Sequence, residues 1–218
     1  GLDNIDDIID VSDGIMVARG DLGVEIEAEA LPFIQKQIIK KCNEAFKPVI
    51  TATQMLDSMI RYPRPTRAEA TDVANSIYDG TDAIMLSGET AMGNYPIESV
   101  KMMVKIAQET EAHLDYDNLL RIKSESKNKN ISTAVCFSAV TTALTINAKL
   151  IIASSFSGFT TRIVSKFRPE ATIVGLSPLN RTLRKMQLYW GVIPVQTNEV
   201  NSTDHLLEEA ITTVADNG

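Results

Sequence analysis

The chain predicts an α/β protein built on parallel strands, and three observations carry that expectation. Short apolar runs alternate with helical periodicity along most of the sequence. The first three runs start at positions 15, 49 and 83, a constant spacing. Each run is followed by polar residues and then by a helix start signal, which is the pattern of parallel strands joined by helical crossovers.

Ile15-Met16-Val17-Ala18, Val49-Ile50-Thr51-Ala52 and Ala83-Ile84-Met85-Leu86 are the runs. Each has the length and flanks of a buried strand. Helical repeats share a similar period, but their unit holds no short apolar run of this kind. Pro32 opens a helix whose apolar stripe is Phe33, Ile34, Ile38, Ile39, Cys42 and Phe46. Thr66 and Glu69 form a capping box, and Val73, Ala74 and Ile77 continue the apolar face. Pro96 opens a third helix, with Ile97, Val100, Val104 and Ala107 at helical spacing. Residues 13–114 thus read as three consecutive βα units. Residues 115–130 are poor in apolar groups and read as a boundary. Beyond it come a helix over Ser132–Ile146, a strand over Leu150–Ala153, a helix over Thr161–Phe167 and a strand over Thr172–Leu176. A helix over Leu179–Leu188, a strand over Ile193–Val195 and a helix over Thr203–Val214 follow. This second region is an open α/β layer, and strands beyond it are expected.

Composition narrows the function. The 218 residues are 44% hydrophobic and 22% charged, which excludes a disordered chain. No apolar run approaches the ~18 residues of a membrane span. The net charge is −7, and the first thirty residues, where nine acids face one base, Arg19, carry more acidity than that total, leaving the rest nearly neutral. Acidity at one end argues against nucleic acid and permits a divalent cation. Cys42 and Cys136 lie far apart in apolar contexts and read as buried thiols of a reducing compartment. His113 and His205 are isolated, so no Ser-His-Asp or Cys-His arrangement can be placed. The chain begins at Gly1 with no Met and no charged-then-apolar leader, so a fragment without a signal peptide is expected.

The chemistry-bearing residues cluster at strand ends. Asp21, in Arg19-Gly20-Asp21, is a hard oxygen donor at the carboxyl end of the first strand. It reads as a magnesium ligand or as the cap of a turn. Gly20 lets a ligand approach its backbone N–H. Thr51 and Thr53 are expected to point the same way by strand alternation, toward an anion or toward their own backbone. Ser87-Gly88-Glu89-Thr90 ends the third strand and reads as a polar mouth or as a helix cap. Arg64 and Arg67 project from a proline-stiffened loop as anion contacts or as solvated charges. Ser154-Ser155-Phe156-Ser157-Gly158-Phe159-Thr160-Thr161 precedes a helix and suits an anion nest, with Arg162 and Lys166 following. It is not a Walker loop, because no Gly-Lys-Ser or Gly-Lys-Thr occurs.

At these residues the sequence resembles the pyruvate kinase family. The likeness lies in residues 14–23, in Ala52-Thr53-Gln54-Met55-Leu56, in residues 63–69 and in residues 85–91. It implies a partial TIM (β/α)8 barrel, its last three βα units over residues 1–116. A linker over 117–130 and a regulatory α/β sandwich over 131–218, lacking its last strands, are implied to follow. The implied reaction is phosphoryl transfer from phosphoenolpyruvate to ADP, giving pyruvate and ATP, with Mg²⁺ and K⁺. Asp21 matches a magnesium ligand, and Gly20 and Asp21 match substrate-carboxylate contacts. Thr53 matches a catalytic, substrate-contacting hydroxyl near the carbon that is protonated. Arg67 matches a subunit contact. Ser155, Ser157, Gly158 and Thr160 match an effector phosphate loop of bacterial type, for a sugar phosphate or nucleotide. A cytoplasmic homotetramer is implied for the whole enzyme, with no nucleic-acid or membrane partner.

The Lys-Ile-Glu stretch that carries the family's lysine and second metal-binding glutamate is absent from the sequence, as are the potassium site and five barrel strands. The chain alone is therefore expected to be inactive. Two other readings stand beside it: an effector-binding module, and a magnesium-dependent aldolase-type lyase, which accounts for Asp21 but not for residues 63–69.

Overall fold

The computed structural model describes residues 1–124, 130–198 and Thr212. The chain divides into two compact units, Gly1–Leu114 and Asp115–Gly218. The helix expected over Thr203–Val214 lies outside the described residues except for Thr212.

The first unit opens with α1 (Ile5–Val11), then β1 (Ile15–Ala18), α2 (Arg19–Glu25) and α3 (Leu31–Glu44). β2 (Val49–Ala52), α4 (Arg67–Tyr78), β3 (Ala83–Met85), α5 (Gly88–Ala91) and α6 (Pro96–Ala112) follow. The strands form one parallel sheet in the order β1-β2-β3, with Val17 level with Thr51 and Thr51 level with Ile84. Parallel pairing brings all three carboxyl ends to one edge. Asp82 fixes the other edge, its Oδ2 accepting from the Val49 N–H at 2.9 Å.

α3 carries Pro32 in its first turn, where the missing N–H costs no helical bond. It buries Gln35, Ile38, Ile39 and Cys42, spaced i, i+3, i+4, i+7. Phe33, expected on that stripe, is exposed. On α6 the buried positions are Ser99, Met103 and Thr110, while Ile97, Val100 and Val104 are exposed. The helix has two neighbouring apolar stripes, and the one with Met102, Met103, Ile106 and Ala107 packs on this unit. One core gathers Ile9, Val17, Ile38, Ile39, Cys42 and Val49. Another gathers Met55, Leu56, Met59, Val73, Ile77 and Met103.

The second unit begins with α7 (Tyr116–Ser124), a helix where the sequence suggested a linker. α8 (Ile131–Thr145), β4 (Leu150–Ser154), α9 (Phe159–Lys166), β5 (Thr172–Ser177), α10 (Asn180–Met186) and β6 (Val192–Gln196) follow. Asn130 and Thr133 form a capping box that starts α8. β4-β5-β6 is again a parallel sheet in sequence order, with Ile152 level with Val174 and Val174 level with Ile193. Cys136 is buried in this unit, Cys42 in the first, and no disulfide joins them. Among the described residues no helix is long and apolar enough to cross a membrane.

Candidate functional site

β2 ends at Ala52 because the next two residues leave the extended region. Thr53 and Gln54 have φ of 68° and 53°, a left-handed pair without glycine. For a β-branched residue this is an outlier, and such residues cost about 1–3 kcal/mol each. The alternation expected for Thr51 and Thr53 therefore fails. Thr51 stays in the strand, fully buried, with its hydroxyl on Thr81 Oγ1 at 3.1 Å. Thr53 turns to β1 instead, and its Oγ1 accepts from the Gly20 N–H at 2.8 Å while donating to the Ala52 carbonyl at 2.7 Å.

Arg19 braces this turn. Its buried guanidinium donates to the Thr53 carbonyl through Nε at 3.1 Å and Nη2 at 2.6 Å. Nη1 pairs with Asp72 Oδ2 of α4 at 2.5 Å, and Nη2 lies 2.8 Å from Met55 Sδ. The residues after β1 form α2 rather than a loop, so Gly20 and Asp21 stand in a helical first turn. Asp21 is exposed.

Glu89 ties the end of β3 to the end of β2. It is buried, accepting from the Leu56 N–H at 3.0 Å and from the Ser87 N–H at 2.7 Å. It serves the loops rather than opening to a ligand. Gly93 must be glycine here, because a Cβ would stand 2.5 Å from the Glu89 carbonyl oxygen. Among the described residues, buried Ser87 Oγ has no hydrogen-bond partner. Glu69 completes its capping box with Thr66 and also accepts from Ser58 N–H and Oγ at 2.7 and 2.5 Å. Burial raises the Glu69 pKa, but the bonds from Ser58 and Thr66 together outweigh it and hold the carboxyl below its ordinary value. Arg64 and Arg67 are exposed on either side of that cap.

The structure thus brings Gly20 and Thr53 into contact, with Asp21 next in sequence. Asp72 was missed by sequence reading, since nothing local marks a helix residue as the partner of an arginine 53 positions earlier. Among the described residues no group of three or more His, Cys, Asp or Glu forms a metal cage. A single carboxylate fits magnesium, which takes one or two protein carboxylates and completes its shell with water and phosphate oxygens.

In the second unit Gly158 has φ of 82° and caps α9, and a Cβ there would meet Thr182 Cγ2 at 3.3 Å. Thr182 Oγ1 donates to the Phe156 carbonyl at 2.8 Å. Ser157 and Thr160 are exposed, whereas Ser155 is buried, with its N–H on the Leu176 carbonyl at 2.9 Å. Arg162 stacks over the Phe159 ring at 5.4 Å, and its buried Nε has no hydrogen-bond partner among the described residues. Lys166 is buried at the far end of the helix.

The fold and these strand ends define an α/β protein whose first unit is an arc of a parallel β/α barrel. Two family models match the chain, the pyruvate kinase barrel domain over residues 1–100 and the pyruvate kinase alpha/beta domain over residues 133–218. Pyruvate kinase of Clostridium acetobutylicum is 54% identical over 97% of this chain and 45% of its own length. That of Staphylococcus epidermidis is 52% identical over 100% of this chain and 37% of its own. A crystal structure of a pyruvate kinase from Cryptosporidium parvum matches with a TM-score of 0.95 at 43% identity, over 100% of this chain and 44% of that one. The chain belongs to the pyruvate kinase family, and it spans less than half the length of these relatives.

Proposed function

We propose that the chain supplies the last three βα units of a pyruvate kinase barrel (residues 1–116) and most of its regulatory α/β domain (131–218). The whole enzyme transfers the phosphoryl group of phosphoenolpyruvate to ADP, giving pyruvate and ATP. The observation that carries this reading is the contact between Thr53 Oγ1 and the Gly20 N–H across two adjacent strand ends, with Asp21 beside it.

The backbone N–H groups of Gly20 and Asp21 bind the substrate carboxylate. In the chain as it stands the Gly20 N–H is used by Thr53. An incoming carboxylate takes over that donor and releases the Thr53 hydroxyl toward the substrate. Thr53 then sits near the carbon that receives the proton. Asp21 would hold Mg²⁺, which neutralises charge on the transferring phosphate when bound. The potassium site belongs to the N-terminal part of the whole enzyme. Ser155, Ser157, Gly158 and Thr160 form an effector phosphate loop for a sugar phosphate or nucleotide, supported by the left-handed Gly158 and the start of α9. Arg67 lies in a subunit contact of a homotetramer. The enzyme is cytoplasmic.

A coupled assay of pyruvate formation tests the reading. The full-length enzyme is expected to turn over with a magnesium requirement, and the 218-residue chain alone is expected to show none. Turnover by the chain alone would refute the division of labour, and a full-length protein without activity would refute the function.

A further inference from the structure

We propose that Arg19 is a positioning residue for this site: its buried guanidinium grips the left-handed turn at Thr53 and Gln54, and so holds the Thr53 hydroxyl where the substrate is bound. The proposal rests on the functional reading above and adds a residue to it.

The geometry is a fork on a carbonyl. Nε and Nη2 converge on the carbonyl oxygen of Thr53 at 3.1 and 2.6 Å, and Nε also lies 3.4 Å from the Ala52 carbonyl. The gripped residue is the one whose hydroxyl meets the Gly20 N–H. Arg19 itself precedes Gly20. One side chain therefore links both halves of the site, the first turn after β1 and the turn after β2. The turn needs such a link, since neither Thr53 nor Gln54 is a residue that adopts positive φ readily. Asp72 sets the far side of the guanidinium at 2.5 Å, balancing its charge and tying the turn to α4. The side chain of Arg19 is 7% exposed, so it is no recruiting charge for solvent-borne ligands. Lysine cannot replace it, because one ammonium has no planar fork to span the carbonyl and the carboxylate together.

The test is a double-substitution cycle in the full-length enzyme with Arg19→Lys and Gln54→Gly, at a temperature where all forms are folded. Gln54 has an exposed side chain, and glycine there accepts the left-handed φ without a clamp. Arg19→Lys is expected to lower kcat between about ten- and a hundredfold, the cost of a misplaced group, with KM for ADP unchanged. Exchange of the pyruvate methyl hydrogens with deuterated water is expected to slow by the same factor, because Thr53 serves the protonated carbon. Adding Gln54→Gly is expected to recover a substantial part of both losses. A wild-type kcat in Arg19→Lys overturns the proposal. So does a loss that Gln54→Gly leaves untouched. Should Arg19→Lys fail to fold, Asp72→Asn replaces it, with a smaller loss of the same pattern expected and an unchanged kcat again overturning the idea. Hydrogen exchange at the Gly20 amide separates the two layers of inference. If the wild-type enzyme makes no pyruvate, the functional reading falls, while faster exchange at Gly20 in Arg19→Lys still reports the clamp; unchanged exchange there overturns the clamp itself.

Discussion

The residues after β1 and β2 and the loop after β4 all follow parallel strands, yet they are held in different ways. In the first unit the polar groups are locked by buried charge. Arg19 and Asp72 pair across the turn, and Glu89 fastens one strand end to the next. In the second unit the loop is shaped by a left-handed glycine and by the neutral Thr182 hydroxyl on the Phe156 carbonyl, and Ser157 and Thr160 remain exposed. Buried polar networks that are fully satisfied fix a single geometry. An open nest of hydroxyls and amides takes its final form around an anion. The contrast suits the proposed division into a rigid reaction site and an adaptable effector site.

The largest expected effect tests the rigid side. Asp21→Ala in the full-length enzyme removes a charge partner for the metal. Several kcal/mol of transition-state stabilisation are at stake, so kcat should fall at least about a hundredfold and the magnesium dependence should weaken. Full turnover with an undiminished magnesium requirement would remove Asp21 from the mechanism. On the adaptable side, Ser157→Asp places a negative charge where a phosphate is expected. Calorimetry with a sugar bisphosphate should show binding weakened by about ten- to a hundredfold, the worth of one charged hydrogen bond. Pyruvate formation without effector should stay as it was. Equal binding by both forms would take the loop out of the regulatory reading.

These effects bear on what the sequence could reveal. The parallel strands were legible because each apolar run is short, flanked by turn residues and followed by a helix start signal, Pro32, the Thr66–Glu69 box or Pro96 in the first unit. The capping box at Thr66 and Glu69 was legible because its two residues are neighbours on one turn. Gly20 and Thr53 were picked out as strand-end groups, although the contact between them depends on a turn that no local pattern announced. Thr53 looked like the next outward residue of β2, since alternation holds only while the backbone stays extended. Its positive φ depends on Arg19, and Arg19 on Asp72, both distant in sequence. Glu89 stood open between a polar mouth and a helix cap, and it took neither role alone. A carboxylate beside glycine and serine reads as open, and only the folded chain shows it closed on two backbone amides.

Glu89→Gln sharpens that last point. The amide keeps one acceptor and turns a donor toward an N–H that needs an acceptor. Leaving a buried group unsatisfied costs about 1–3 kcal/mol. The enzyme should lose thermal stability by that amount, with kcat reduced as the two strand ends loosen. An unchanged melting temperature would show that Glu89 does not fasten the loops.

The smallest expected effect lies at Glu69, in the first turn of α4 just after the proline-rich loop. Its carboxylate accepts from the backbone and hydroxyl of both Ser58 and Thr66. Because these bonds favour the charged form, its folded pKa lies below the unfolded value of about 4.3. Stability from this source is therefore complete above the unfolded pKa and is lost as pH falls through the folded one. Glu69→Gln removes the charge and sets an amide N–H against a donor from Ser58 or Thr66, as a protonated carboxyl also does, so it should cost about 1 kcal/mol at neutral pH, the scale of a helix cap. Thermal unfolding of wild type and variant should converge as the pH drops below about 4. A gap that stays constant from neutral to acid conditions would show that shape, and not charge, secures the loop that carries Arg64 and Arg67. In that case the contrast between a charge-locked unit and one held by neutral groups would be confined to Arg19, Asp72 and Glu89.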